Sequence, residues 1–342
     1  MTSFFLLFAG FLASGIPIAL CLGIAGTAYL YLSGNGMMAL MLPQRMIAGI
    51  DQFVLLTIPL FLLAGALMNV GGVTERIVTF ARAMVGHRRG GMSSVSILSS
   101  GFFAGISGSA TAEASALGAI LIPSMSKQGM PPAYAAALIA VSSVMGPIIP
   151  PSITMIVYGL VTGTSIGQLY AGGVGPGLLI AGLFSLWILF CGWRWPETVG
   201  GIPEDTGLPR PSKLKALRGI VLPFVLIVLV LGSILGGFAS ISESAAVGAA
   251  GAMILAALRG QMNGKVMGEA LQETLSLSCM IFWIIIGASA LANFYTAMGA
   301  ARVIEEAVLG LDANPWIILI CMQLTLLVMG MVLDSTGIIL IT

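Results

Sequence analysis

Two runs of small and hydroxyl-bearing residues interrupt the apolar sequence and are the strongest candidates for binding an ion or a ligand. One is Gly105-Ile-Ser-Gly-Ser-Ala-Thr111, and the other, 225 positions later, is Gly330-Met-Val-Leu-Asp-Ser-Thr336. Glycine, serine and threonine inside an apolar run expose backbone carbonyls and helix N-termini. A membrane tolerates such exposure only where protein or a water-filled site covers these groups. The two runs therefore predict a transporter with two facing re-entrant hairpins.

A third interruption, Gly146-Pro-Ile-Ile-Pro-Pro-Ser152, breaks the apolar stretch 132–166. Proline donates no backbone hydrogen bond and disfavours the α conformation of the residue before it. We therefore expect the carbonyls of Gly146, Ile148 and Ile149 to lose their helical partners. Together with Ser107 and Ser109 at the first hairpin tip, these oxygens would form an all-oxygen shell for a monovalent cation. A simple proline kink is the alternative interpretation.

Two carboxylates near these interruptions each allow two interpretations. Asp334 lies inside the apolar run 315–342, where an ionised carboxylate costs at least ~2.5–3.5 kcal/mol. It is expected either to contact an ion or substrate or to cap a helix that begins at Ser335. Glu113 either complements the dipole of a helix that begins after the first break or faces a substrate path. The candidates for that path are Thr111, Glu113, Ser152, Ser335 and Thr336.

The residues needed by an enzyme are missing from the sequence. The single histidine, His87, lies in a basic run, so there is no Ser-His pair, no paired-histidine zinc motif and no phosphate loop followed by lysine. An intramembrane protease would need a second aspartate at the depth of Asp334. The four cysteines lack metal-like spacing. The sequence therefore predicts no enzymatic activity and no cofactor.

The composition predicts a polytopic membrane protein made of helices. The chain of 342 residues is 58% hydrophobic and only 8% charged, whereas soluble domains are about 25% charged. The uncharged run Ile220–Phe238 spans roughly 28 Å as a helix, about one bilayer core. Similar runs lie at 16–32, 52–70, 132–166, 170–193, 242–258, 274–298 and 315–342.

The basic residues predict the topology. If segments 71–92, 126–131, 194–218 and 259–269 face the cytoplasm, twelve of the fourteen Lys and Arg residues lie inside and only Arg45 and Arg302 lie outside. Residues 74–88 then form an interfacial helix with Ile77, Phe80 and Met84 on one face. The segment 92–125 starts and ends on the same side, and each of its arms is about 15 residues long, too short to cross comfortably. A re-entrant hairpin is the simplest interpretation.

The spacing of 225 also pairs Ile16 with Ile241 and Gly23 with Gly248, and the charges give the two copies opposite orientations. This pattern is typical of inverted-repeat secondary transporters. The predicted organisation is a first repeat at 1–195, with a hairpin at 92–125 and a broken helix at 132–166, a cytoplasmic linker at 196–218, and a second repeat at 219–342. We expect the second repeat to be incomplete, since a counterpart of Gly146–Pro151 would lie beyond Thr342.

Four motifs together resemble one transporter family. They are the run from Gly105 to Pro123, Met145-Gly-Pro-Ile-Ile-Pro-Pro-Ser152, Ser242-Glu-Ser-Ala-Ala246 and Gly330-Met-Val-Leu-Asp-Ser-Thr336. They are similar to the large membrane subunit of tripartite ATP-independent periplasmic (TRAP) transporters, the DctM-like family. The resemblance implies a sodium-driven elevator in the bacterial inner membrane. It further implies a small four-helix membrane subunit and a periplasmic substrate-binding protein as partners, a small carboxylate such as a dicarboxylate or sialic acid as substrate, and no nucleic acid.

The resemblance also implies two sodium sites. Ser107 and the carbonyls of Gly146, Ile149 and Pro151 would form the first, beside Ser109, and Gly330 with neighbours such as Asp334 would form part of the second. The Ser242-Glu-Ser-Ala segment departs from the Thr-Pro-Glu-Ala pattern of the family. Two other functions stay open: a carrier similar to divalent-anion/sodium symporters that needs no binding protein, and a structural membrane subunit without transport of its own.

Overall fold

The fold is helical throughout the part of the chain that the structure describes. This computed structural model describes residues 2–32, 34, 40–87, 90–199, 213–297, 299, 306, 310, 314–331, 333 and 335–341, and no strand occurs among them. The helices are α1 (Thr2–Ala13), α2 (Ile18–Leu32), α3 (Leu42–Ile50), α4 (Thr57–Val70), α5 (Val73–Val85), α6 (Gly91–Ser107), α7 (Ala110–Lys127), α8 (Pro132–Ser142), α9 (Ile153–Thr162), α10 (Ile166–Arg194), α11 (Pro196–Val199), α12 (Lys213–Leu235), α13 (Ile241–Leu258), α14 (Gly264–Ala297), α15 (Pro315–Gly330) and α16 (Ser335–Ile341). The predicted all-α class is confirmed.

Helices long and apolar enough to cross a bilayer recur along the chain. Five such spans lie in the described residues: Phe53–Val70, Ile166–Arg194, Lys213–Leu235, Ile241–Leu258 and Gly264–Ala292. The helices α10 and α12 carry large exposed apolar side chains, among them Trp187 and Phe224, as expected for surfaces that face lipid. The prediction of a polytopic membrane protein is therefore confirmed.

The larger of two compact units comprises Leu56–Ser276. Its helix α4 packs along α13, where the hydroxyls of Thr57 and Ser242 form a hydrogen bond of 2.9 Å. The small residues Ala64 and Gly248 face each other at this contact, which allows the two helices to approach closely. The α6–α7 pair packs against α4, α5 and α8 and supplies the centre of the core through Val95, Phe103 and Leu121.

The second unit comprises Met1–Leu55 and Leu277–Thr342. Helices α1 and α2 pack together, and a cluster of buried apolar residues, with Leu22, Leu30, Leu42 and Leu291 among its members, forms the core. Gly287 lies directly against the backbone of Ala19, so the α2–α14 contact is also made close by a residue without a side chain.

The segment 196–218, predicted as a linker, is partly helical. It contains α11, and α12 begins at Lys213 rather than after Arg218; residues 200–212 lie outside the described part. Lysine, leucine, alanine and arginine are good helix formers, and Ala216 is buried. These two causes extend the helix into the basic stretch.

Candidate functional site

The first small-residue run forms a sharp turn between α6 and α7. Helix α6 ends at Ser107, α7 begins at Ala110, and Gly108 between them has φ +58°, a left-handed conformation that favours glycine. The Ser109 side chain caps α7 by accepting the Ala112 N–H at 3.5 Å. Ser107 is buried and Thr111 is exposed. The helix break therefore lies inside the run 105–111.

The second element of the site is the proline loop, defined as Gly146–Ser152. It follows a 3-10 turn at Ser143–Met145 and ends where Ser152 caps α9. The Ser152 hydroxyl accepts the Met155 N–H at 3.3 Å and donates to the Pro147 carbonyl at 2.5 Å. Within the described residues, no hydrogen-bond donor reaches the carbonyl oxygens of Gly146, Ile148, Ile149 and Pro151.

The hairpin tip and the proline loop are in direct contact. A Cβ atom built on Gly108 would lie 2.5 Å from the Pro151 carbonyl oxygen. A Cβ atom built on Gly146 would lie 3.2 Å from the Ser109 carbonyl carbon and 3.3 Å from the Ala110 nitrogen. Glycine at both positions therefore allows the two backbones to approach. The structure thus brings together Ser107, Ser109 and the proline loop.

Glu113 is enclosed by this contact. Its side chain is fully buried, and Oε1 accepts a hydrogen bond from the Ser100 hydroxyl. Oε2 is shielded from water and has no partner among the described residues, and it lies 2.8 Å from the position of a Cβ on Gly146. In this conformation Glu113 lies between the hairpin and the proline loop rather than on an open surface.

Buried serines continue this polar region along the inner face of α6. Ser93, Ser96, Ser99 and Ser100 are all inaccessible to solvent. The Ser96 hydroxyl forms a 3.3 Å hydrogen bond with that of Ser142, whereas the Ser99 hydroxyl has no partner in the described part of the chain. None of these serines is among the residues predicted from the sequence. The spacing of Ser93, Ser96 and Ser100, three and four positions apart, was the available signal for a shared helix face.

The residues predicted in the second small-residue run lie in the other unit. Gly330 is the last residue of α15, and Ser335 and Thr336 begin α16. Thr336 is buried. Asp334 lies outside the described residues, so its two interpretations stay predictions.

Comparison with known proteins identifies relatives over nearly the whole chain. The family model "Tripartite ATP-independent periplasmic transporter, DctM component" matches residues 5–342. The sialic acid TRAP transporter large permease protein SiaM of Vibrio cholerae is 32% identical over 334 residues, which cover 97% of this chain and 77% of that protein. The C4-dicarboxylate TRAP transporter large permease protein DctM of the same organism is 32% identical, with 98% and 78% covered. The 2,3-diketo-L-gulonate TRAP transporter large permease protein YiaN of Escherichia coli is 30% identical, with 97% and 77% covered.

Proposed function

Because the chain belongs to the DctM family of tripartite ATP-independent periplasmic transporters, we propose that it is a large permease subunit that imports a small carboxylate by sodium symport. Membership in this family makes it an integral inner-membrane protein and not an enzyme. The three relatives above are named for sialic acid, C4-dicarboxylate and 2,3-diketo-L-gulonate, and each of these compounds carries a carboxylate. A small four-helix membrane subunit and a periplasmic binding protein complete the proposed system.

The observation that carries the sodium proposal is the contact between the hairpin tip and a proline loop with free carbonyls. The carbonyls of Gly146, Ile149 and Pro151 accept no hydrogen bond from described residues, and Ser107 stands in the adjoining hairpin tip. Carbonyl oxygens without donors suit a hard cation, because such a cation supplies the charge that satisfies them. The Ser107 hydroxyl beside them makes only long contacts of 3.4 Å with the backbone of Ser109. Ser107, Ser109 and the three carbonyls would therefore hold Na⁺.

Sodium bound there would also favour an anionic substrate nearby. The N-terminus of α7 begins at Ala110, and the first N–H groups of a helix attract negative charge. Thr111 lies at this end and is exposed, and its hydroxyl shares a 3.1 Å hydrogen bond with that of Ser109, whereas Ser152 is buried. A substrate carboxylate would reach Thr111, while Glu113 on the inner side would stay within the packing. Carboxylate affinity would then rise when Na⁺ is bound, which is the differential binding that coupling requires.

Uptake in proteoliposomes tests this proposal through Ser107→Ala. The subunit is reconstituted with its small membrane partner and supplied with the loaded binding protein and an inward sodium gradient. Loss of one oxygen from a shell of about five or six should raise the sodium concentration for half-maximal uptake by about tenfold. Substrate affinity at saturating sodium should change much less.

Ser99→Ala is the matched control. Ser99 lies on the same helix, is also buried, and its hydroxyl has no partner in the described residues. This variant should keep the sodium dependence of the wild type. If wild-type uptake were the same in sodium-free, proton-clamped buffer as in a sodium gradient, sodium symport would be refuted. If uptake were the same with and without the binding protein, a carrier that needs no binding protein would be favoured.

A further inference from the structure

Three elements meet at Gly219: α5, the first part of α12 and the C-terminal end of α13. Pro223 lies four residues after Gly219 within α12. Because proline has no N–H, the Gly219 carbonyl lacks the helical donor that it would otherwise have. The Nη2 atom of Arg259, the C-cap residue directly after α13, donates to this carbonyl at 3.2 Å. Arg259 therefore replaces the missing backbone donor.

A second arginine lies at the same place. A Cβ atom built on Gly219 would lie 3.8 Å from each of the Cβ, Cγ and Cδ atoms of Arg76 on α5. The aliphatic part of Arg76 and the guanidinium of Arg259 thus both lie against Gly219. Burial, and after it the positive charge of Arg76, lowers the pKa of the Arg259 guanidinium.

Neither Arg76 nor Arg259 forms an ion pair with an acidic side chain of the described residues. The ion pair found in that part of the chain is Lys265–Glu269, at 3.9 Å and exposed to solvent. The Arg259 Nη1 atom is shielded from water and has no hydrogen-bond partner in the same part of the chain. The C-terminal carbonyls of α13 offset only part of this charge, since a helix end carries about half an elementary charge. An anion between Arg76 and Arg259 would remove their repulsion.

We propose that the junction of Arg76, Gly219 and Arg259 binds the phosphate of an anionic phospholipid headgroup. A guanidinium pairs with phosphate through two parallel hydrogen bonds, so two converging arginines suit this group. The exposed residues Lys213, Lys215 and Arg218 at the start of α12 extend the positive charge. By the distribution of basic residues this end of the unit faces the cytoplasm, the side on which anionic lipids attract such clusters. The neighbouring apolar surface of α12, with Leu222 and Val225 exposed, would accommodate the acyl chains.

Thermal unfolding of the purified full-length chain in detergent tests the proposal. Phosphatidylglycerol, phosphatidylcholine and inorganic phosphate are titrated separately. Of the three additives, only phosphatidylglycerol should raise the unfolding temperature. In Arg76→Gln, the affinity for phosphatidylglycerol derived from this titration should fall about fivefold. Arg76 is exposed, so its replacement should leave the fold intact, and Arg76→Glu, which supplies a carboxylate, should abolish the lipid response.

Lys265→Gln is the control, because Lys265 is basic and exposed but already paired with Glu269. It should respond to phosphatidylglycerol as the wild type does. An equal response of Arg76→Gln and the wild type would overturn the site. A response to inorganic phosphate as large as that to phosphatidylglycerol would make the occupant a free anion and overturn the assignment to a lipid. These outcomes do not depend on sodium coupling or on the transported substrate.

Discussion

Gly146 lies where the hairpin tip, the proline loop and the Glu113 carboxylate meet. A methyl group at this position would lie 2.8 Å from Glu113 Oε2 and 3.2–3.3 Å from backbone atoms of Ser109 and Ala110. The backbone atoms belong to the turn that the proposed sodium site uses. A larger side chain at position 146 would therefore displace this turn and change the geometry of the proposed site.

We expect Gly146→Ala to lower the free energy of unfolding by about 1–3 kcal/mol, the usual cost of an extra methyl in a packed core, and to reduce sodium-driven uptake. Thermal unfolding in detergent and uptake at several sodium concentrations measure the two effects. Gly182→Ala is the control: nothing lies within 4 Å of its added methyl, and alanine favours a helix interior by about 0.8–1 kcal/mol. Similar stability of the two variants would contradict the tight contact.

Glu113 is predicted to stabilise the hairpin through Ser100. Glu113→Ala would leave the Ser100 hydroxyl without its acceptor and open a cavity, with an expected cost of about 2–4 kcal/mol. Glu113→Gln keeps an acceptor oxygen and should cost less. In a double-mutant cycle with Ser100→Ala, the two losses should not add; strict additivity would show that the hydrogen bond contributes nothing.

Local chemistry explains which residues of the site the sequence could predict. Pro150 cannot donate to the Gly146 carbonyl, and it disfavours the α conformation of Ile149 before it, so the loss of helical partners at these two carbonyls follows from the sequence alone. The Ser-x-x-Glu spacing of Ser240 and Glu243 is that of a capping box, and the two residues form one, with hydrogen bonds of 2.7 and 3.3 Å. The contact of Glu113 with Ser100 depends on how two helices face each other, and no local rule gives this arrangement.

The turn between α6 and α7 determines how the two helices of the hairpin meet. Gly108 combines a left-handed conformation with close contact to the Pro151 carbonyl. Gly163, after α9, has a similar φ of +69°, but nothing lies within 4 Å of a methyl there. Alanine substitutions at the two glycines therefore distinguish the cost of backbone strain from the cost of steric contact.

We predict that Gly163→Ala costs only the left-handed backbone term, about 1–2 kcal/mol, whereas Gly108→Ala costs at least about 1 kcal/mol more, because the tip must move away from the proline loop. Thermal unfolding of both variants measures the difference. Uptake should fall sharply in Gly108→Ala alone. Equal losses of stability would mean that the contact between tip and loop is loose.

Helix α5 shows what the sequence predicts of an element and what it leaves open. Ile77, Phe80 and Met84 were predicted on one interfacial face: Ile77 is buried, Phe80 packs partly against the core and Met84 is exposed, while the buried residues are Val73, Thr74, Ile77, Val78 and Ala81. Periodicity indicates that a helix is amphipathic. The identity of its neighbours, here α6 and α12, determines which side is buried.

At the scale of the whole molecule, the inverted repeats, the re-entrant hairpin and the elevator motion stay predictions. Labelling with a membrane-impermeant thiol reagent tests the first two, in a background without Cys21, Cys191, Cys279 and Cys321. Because basic residues concentrate in cytoplasmic segments, cysteines at Lys127 and Lys213 should react from the cytoplasm and one at Arg45 from the periplasm. All three positions are exposed. Periplasmic labelling at Lys127 would mean that the hairpin crosses the membrane.

The serine-lined interior of α6 has a consequence for biogenesis. A helix with Ser93, Ser96, Ser99 and Ser100 on its inner face gains little by entering lipid alone, and Glu113 follows it on the next helix. Some of the residues that cover the hairpin are translated much later: Gly105 faces Ile227 of α12, with 3.6 Å between Ile227 Cγ2 and a Cβ built on Gly105. We therefore expect the long apolar helices to insert first and the hairpin to dock afterwards, so that the ribosome has passed α12 before the proposed sodium site can form.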